Sequence, residues 1–149
     1  MVRIIIVIVF YFISLVNYAQ STDDSMSKAK NNTYQVEVQI NNVTSDKGKV
    51  YFVLYNTQEG FNNKNHFKGA ISDIKNGVAS AKFLDLEPET YAIVCFHDAN
   101  DNGKMDFEEN GMPLEDYGAS NNVMNYGPPR FGDAKFELTD KDLTFEIKL

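Results

Sequence analysis

Lys49-Val50-Tyr51-Phe52-Val53-Leu54-Tyr55 is the stretch that decides the fold class of this chain. After its first residue it has no polar face, and the turn Asp46-Lys47-Gly48 bounds it on one side and Asn56 on the other. A strand that is apolar on both faces belongs in the middle of a sheet. Thr90-Tyr91-Ala92-Ile93-Val94-Cys95-Phe96-His97 has the same character and predicts a second central strand. Outward from these, residues 33–40 alternate polar and apolar, the period of a strand with one wet face. Shorter strands are expected over 70–74 and 78–86, joined by Asn76-Gly77, a strong hairpin-turn dipeptide. Glu87-Pro88-Glu89 then turns the chain into 90–97. At the far end, 134–138 and 143–149 read as a hairpin, with Leu143, Phe145, Ile147 and Leu149 on one face. The polar loop 56–68 carries Phe61 and Phe67, which are expected to fold back onto the core.

No convincing amphipathic helix stands out. The pattern therefore predicts an all-β protein: an antiparallel β-sandwich, immunoglobulin-like or transthyretin-like, of about seven strands with one long ordered loop. A closed barrel is the alternative. Composition agrees: 43% of the 149 residues are apolar, with 11 Phe, 8 Tyr and no Trp. Aromatic and β-branched residues fit a pleated, half-buried surface.

The start of the chain has a different logic. Met1-Val2-Arg3 is short and basic, 4–16 is almost continuously apolar, and Asn17-Tyr18-Ala19-Gln20 turns polar. That is the three-part plan of a secretory signal peptide over residues 1–19, cleaved after Ala19. The apolar run falls short of the roughly 20 residues a bilayer span requires, so no stable membrane anchor is expected, a retained anchor being the rival reading. Residues 20–32 are polar and aperiodic and read as a flexible tether. Residues 33–149 form the domain. Its expected location is periplasmic or extracellular.

The formal charge is −7, and loss of Arg3 with the leader would make it −8. No run of Lys or Arg is long enough to track a phosphate backbone, which argues against nucleic acid as a partner. The lone cysteine, Cys95, allows no internal disulfide. Within its apolar run it reads as a buried, inert thiol rather than a nucleophile.

Negative charge is concentrated. Asp98, Asp101, Asp106, Glu108, Glu109, Glu115 and Asp116 are opposed between positions 98 and 116 only by Lys104. Such crowding repels itself unless a cation or the fold offsets it. Residues 98–109 read D-A-N-D-N-G-K-M-D-F-E-E, with oxygen side chains at loop positions 1, 3, 5, 9 and 12 and a glycine at 6. This is calcium-loop spacing, with Asp98, Asn100, Asn102, Asp106 and Glu109 as side-chain ligands and Lys104 supplying its carbonyl. Calcium takes six to eight hard oxygens at about 2.3–2.6 Å, and Gly103 permits the sharp bend that aims them inward. The alternative is an Asx-rich turn that satisfies its own backbone amides. Magnesium, which keeps its waters, fits less well. A strand enters the loop, and Gly111 and Pro113 stop any helix on its exit, so an EF-hand is not expected. Without that exit helix Glu109 is the weakest ligand, and Glu115 or Asp116 is placed to substitute. The segment from Asp98 to Gly132 is long for a structureless loop, and Tyr117, Tyr126 and Phe131 are available to pack it in order.

No catalytic set is complete. Ser120, in Gly118-Ala119-Ser120-Asn121-Asn122, lacks the glycine that follows the serine of a nucleophile elbow. There is no zinc spacing and no phosphate-cradling glycine motif. His97 stands next to Asp98 and is a candidate to orient a metal carboxylate. The leading expectation is a non-enzymatic, calcium-stabilised module that binds a protein or glycan through its long loop. The alternative is a secreted hydrolase acting on glycans or esters, with carboxylates, His97 or Ser120 at its centre.

Several motifs in order carry a family resemblance: Tyr91-Ala92-Ile93-Val94, then His97-Asp98-Ala99-Asn100-Asp101-Asn102-Gly103-Lys104-Met105-Asp106, then Gly111-Met112-Pro113-Leu114-Glu115-Asp116-Tyr117-Gly118-Ala119-Ser120-Asn121-Asn122, then Gly127-Pro128-Pro129-Arg130-Phe131-Gly132-Asp133-Ala134. From about Val36 to Leu149 the chain resembles the bacterial family known as domain of unknown function 2141. The resemblance implies an exported bacterial protein with a β-sandwich fold, and implies no activity. It adds Glu115, Tyr117 and Ser120 as site candidates. One departure is Glu87-Pro88-Glu89-Thr90, where the family tends to have Pro-Gly, which puts the tightness of that turn in question.

Overall fold

The computed structural model describes residues 32–123 and 127–149. The signal peptide read over 1–19, the tether over 20–32 apart from Asn32, and Tyr126 lie outside the described residues. Among the described residues no helix is long and apolar enough to cross a membrane.

Eight strands, β1 (Tyr34–Ile40), β2 (Lys49–Tyr55), β3 (Lys68–Asp73), β4 (Ala79–Leu86), β5 (Glu89–Asp98), β6 (Tyr117–Ala119), β7 (Lys135–Leu138) and β8 (Leu143–Glu146), form two sheets. One sheet runs β4-β1-β8, and the other runs β3-β2-β5-β6 with β7 also paired to β5. The two apolar stretches that decide the fold class are the central strands β2 and β5, antiparallel over 49–55 and 92–98. Val50, Phe52 and Leu54 of β2 and Tyr91, Ile93 and Cys95 of β5 face Val36, Val38 and Ile40 of β1 and Ala79, Ala81 and Phe83 of β4 across one core. Two stacked sheets bury such alternating faces against each other.

The turns follow their residues. Asn76 and Gly77 both have positive φ, 53° and 74°, as a two-residue hairpin turn requires. The Asp46 carboxylate accepts both of their N–H groups, at 3.0 and 2.8 Å. Only Glu87 and Pro88 separate β4 from β5, which lie in different sheets, and the Tyr91 hydroxyl donates to the Glu87 carbonyl at 3.0 Å. The turn is tight despite lacking Gly. Asp85, at φ 53°, carries an irregularity that lets both Phe83 and Leu86 point inward.

Two expectations need correction. Residues 134–138 and 143–149 do not pair as a hairpin: β7 joins β5 in one sheet, while β8 crosses to the other and runs parallel to β1. Alternation marks which side chains face inward, as Leu143, Phe145 and Ile147 do, but it is blind to the partner strand. The eighth strand, β6, was also hidden, because Tyr117-Gly118-Ala119 is short and carries no run of β-formers. Two short helices, α1 (Gln58–Asn62) and α2 (Phe131–Ala134), hold Phe61 between Tyr55, at 4.9 Å, and Phe131, at 5.9 Å. Phe67 lies 6.1 Å from Tyr91 but remains 45% exposed, so only Phe61 folds back as expected.

Gly118 lies so close to the chain end that a Cβ there would meet the Lys148 carbonyl and come 2.7 Å from Ile147 Cγ2. Gly118→Ala is therefore expected to cost about 1–3 kcal/mol in urea unfolding. Gly132→Ala, which meets nothing within 4 Å, should stay within about 1 kcal/mol of the parent.

Candidate functional site: the loop beyond the end of strand β5

Asp98 is the last residue of β5 and is fully buried. A buried carboxylate requires donors. Its Oδ1 accepts the Asn102 N–H at 3.0 Å and its Oδ2 the Gly103 N–H at 2.7 Å. These bonds bend the chain back over the strand end, with Asp101 at φ 57° and Gly103 at φ 78°. Asn100 Oδ1 accepts the Asn102 N–H at 3.1 Å and Asn102 Oδ1 the Lys104 N–H at 2.9 Å, two successive Asx turns. The Nδ2 groups of Asn100 and Asn102 both donate to Asp106 Oδ2, each at 2.7 Å. Asn100 and Asn102 thus meet Asp106 through their amide nitrogens, while their oxygens turn to backbone N–H groups. The self-satisfying Asx turn and the calcium-loop spacing describe the same backbone.

Position 12 departs from the pattern. Glu109 is exposed in a turn further out. Glu115 enters instead, its Oε1 accepting the Ala99 N–H at 3.0 Å and its Oε2 the Asp106 N–H at 3.2 Å. It thus clamps the two ends of the loop. Among the described residues no three His, Cys, Asp or Glu side chains gather as a metal-ligand group.

The base of the loop rests on the Asp46-Lys47-Gly48 turn, which the sequence places only as the start of β2. Gly48, at φ 73°, packs so tightly against Asp98 that a Cβ would overlap the Asp98 carbonyl. His97 is buried, and its Nε2 lies 2.7 Å from the Lys47 carbonyl, an acceptor, so Nε2 carries the proton. Its ring holds this turn. Lys49 reaches Asp101 at 3.3 Å, which raises the ammonium pKa, and Thr44 donates to Asp116 at 3.1 Å. The signals available were Asp46-Lys47-Gly48 and the cation Lys49, but nothing in the sequence brings them beside Asp98.

Ser120 is buried and bonded to backbone groups. Strands β6 and β7 lie along the same edge of β5, β6 beside Val94–Phe96 and β7 beside Glu89–Ala92, which leaves Ile93 without a strand partner there. The buried Ser120 hydroxyl fills the gap. It accepts the Ile93 N–H at 3.0 Å, and its proton faces the carbonyls of Ala134 and Ile93. Asn121 and Asn122, both at positive φ, continue the pattern. Asn121 donates to the Asp133 and Lys135 carbonyls, and Asn122 bonds Glu146 O and Lys148 N. One turn thus ties both sheets together. Tyr117 donates from its hydroxyl to the Gly127 carbonyl at 3.3 Å, holding the two sides of the later loop.

A model of one bacterial family matches residues 38–146. The chain belongs to that family, described as an uncharacterised protein conserved in bacteria, DUF2141. The match spans the loop, its base and the Ser120 turn, so all three lie inside the family domain. No curated protein and no solved structure matches the chain.

Burial pushes the Cys95 thiol up to about 12, only partly opposed by its bond to the Gly118 carbonyl. Almost no thiolate exists at pH 8, so a disulfide reagent should label Cys95 only after unfolding. Ser120→Ala strands the Ile93 N–H and is expected to cost about 1–3 kcal/mol in chemical unfolding.

Proposed function

We propose that this is an exported, non-enzymatic β-sandwich module whose 98–116 loop is a structural calcium site, and that the module binds a protein or glycan through its long loop. The observation that carries the metal reading is the meeting of Asn100 and Asn102 on Asp106 Oδ2, each at 2.7 Å, above a buried Asp98. Each carboxylate or carboxamide oxygen has two lone pairs, so accepting one backbone N–H leaves another for a cation. A hard cation at this point would draw the amide oxygens towards Asp106 in place of the two Nδ2 donors. The mixed set of carboxylates, carboxamides and a backbone carbonyl is the donor chemistry calcium accepts. Glu115, already touching both loop ends, is the carboxylate best placed to complete it.

The role proposed for the metal is to order the loop, since it would offset repulsion among seven carboxylates that Lys104 and Lys49 counter only in part. The non-enzymatic reading is supported by the partners of the two catalytic candidates: Ser120 bonds to backbone groups of β5 and α2, and His97 to the Lys47 carbonyl. The export reading is supported by the leader-like residues 1–19.

Extracellular-type calcium modules bind at about 10⁻⁴–10⁻³ M. At 10 mM calcium the linkage stabilisation is then about 1.4–2.7 kcal/mol, a rise of several degrees in Tm. Thermal melting with calcium, magnesium or chelator tests this: calcium alone should shift the melt, and Asp98→Ala should abolish the shift. An identical melt under all three conditions would end the metal reading.

A further inference from the structure

The connection between β2 and β3, residues 56–67, is closed by its own backbone. The Phe61 N–H donates to the Thr57 carbonyl at 3.1 Å, the Asn65 N–H to the Gly60 carbonyl at 2.8 Å and the Phe67 N–H to the Leu54 carbonyl at 2.9 Å. Thr57 Oγ1 accepts the Gly60 N–H at 3.0 Å. Gly60 lies so near the returning chain that a Cβ there would come 2.7 Å from the Asn65 carbonyl oxygen. Phe61 pins the connection between Tyr55 and Phe131. These contacts shape a groove of about 490 Å³, the size of a small-ligand cleft.

The polar side chains of the groove are left over from this closure. Asn56, Glu59, Asn63, Asn65 and His66 line it, and their side chains make no hydrogen bond or ion pair with another described residue. By contrast, the amides of Asn42, Asn100, Asn102, Asn110, Asn121 and Asn122 all donate to carbonyl or carboxylate groups of the fold. Phe67 completes the lining with a ring that is 45% exposed. A fixed backbone that presents unused donors and acceptors beside an apolar ring is preorganised for a ligand.

The donor set selects the ligand class. No Lys or Arg lines the groove and Glu59 does, which disfavours an anion. A hard cation needs more oxygens than one carboxylate among carboxamides offers. A wholly apolar molecule would cover these polar groups without bonding them. Each carboxamide both donates and accepts, as does each hydroxyl of a sugar, so neighbouring hydroxyls find matched partners on Asn56, Asn63 and Asn65. The Phe67 ring supplies apolar surface for the C–H groups of a sugar ring. We infer that the 56–67 groove is a binding site for a neutral saccharide residue. This goes beyond the proposed function, because the groove lies outside the long loop and does not involve the metal.

The test is a titration of the full chain, labelled with ¹⁵N, read at the side-chain amide signals of asparagine. The probes are cellotriose, maltotriose, mannotriose and the trimer of N-acetylglucosamine, with inorganic phosphate and cyclohexanol as controls. At least one trisaccharide should shift the Asn56, Asn63 and Asn65 signals saturably, and neither control should. Affinity should fall at least tenfold in Phe67→Ala and in the double variant Asn63→Ala, Asn65→Ala. Both asparagines are exposed, so the double variant should melt with the parent even if loss of the Phe67 contact with Tyr91 lowers the melt of the other. A neutral ligand should bind equally from about 50 to about 500 mM salt. Absence of shifts, equal shifts with phosphate or cyclohexanol, unchanged affinity in the double variant, or a steep salt dependence would overturn the inference. Shifts confined to 98–132 would also overturn it, while leaving long-loop binding intact. Sugar binding by a protein whose melt ignores calcium keeps the groove and removes the metal. A calcium-shifted melt without sugar binding does the reverse.

Discussion

Strand β5 has one edge that no single strand covers, and most of the molecule is arranged around that deficit. Its backbone groups point outward along 89–98, and buried N–H and C=O groups must find partners. Strand β6 supplies them at one end, β7 at the other, and the Ser120 hydroxyl at the gap beside Ile93. The chain therefore leaves β5 at Asp98, returns to its edge at 117–119, departs again and returns at 135–138. The described parts of this long segment are anchored on the same strand at both ends.

The same arrangement explains how one short motif serves both sheets. Ser120 closes the ladder of the larger sheet, while Asn122 bonds Glu146, the last residue of β8 in the smaller one, and Lys148 just beyond it. A residue at positive φ usually costs energy unless it is Gly, but Asn tolerates it. Asn121 and Asn122, at φ 70° and 51°, take that conformation and use their amides to satisfy backbone groups across the fold. The motif contributes to folding by satisfying backbone groups of both sheets.

The acidic loop sits on the opposite side of this economy. Its oxygens are held by backbone N–H groups and by Asn100 and Asn102, and its base is buttressed by Gly48, Lys47 and Lys49. The inner residues, Asp98 above all, are fixed by burial. The outer residues, from Phe107 to Leu114, are held only by their own ribbon and present apolar side chains to solvent.

Sequence alone determined the fold class, the two central strands, the Asn76-Gly77 turn and the Asx turns that follow Asp98. Each of these depends on periodicity or on spacing within a dozen residues, where chain geometry leaves little choice. Only the tertiary structure decided that β8 leaves β7 to run parallel with β1, that Glu115 enters the loop in place of Glu109, that His97 grips Lys47, and that Ser120 completes the β5 ladder. Those pairings join residues up to about a hundred positions apart. They follow from which backbone groups remain unpaired once the sheets have formed, a quantity that no local pattern carries.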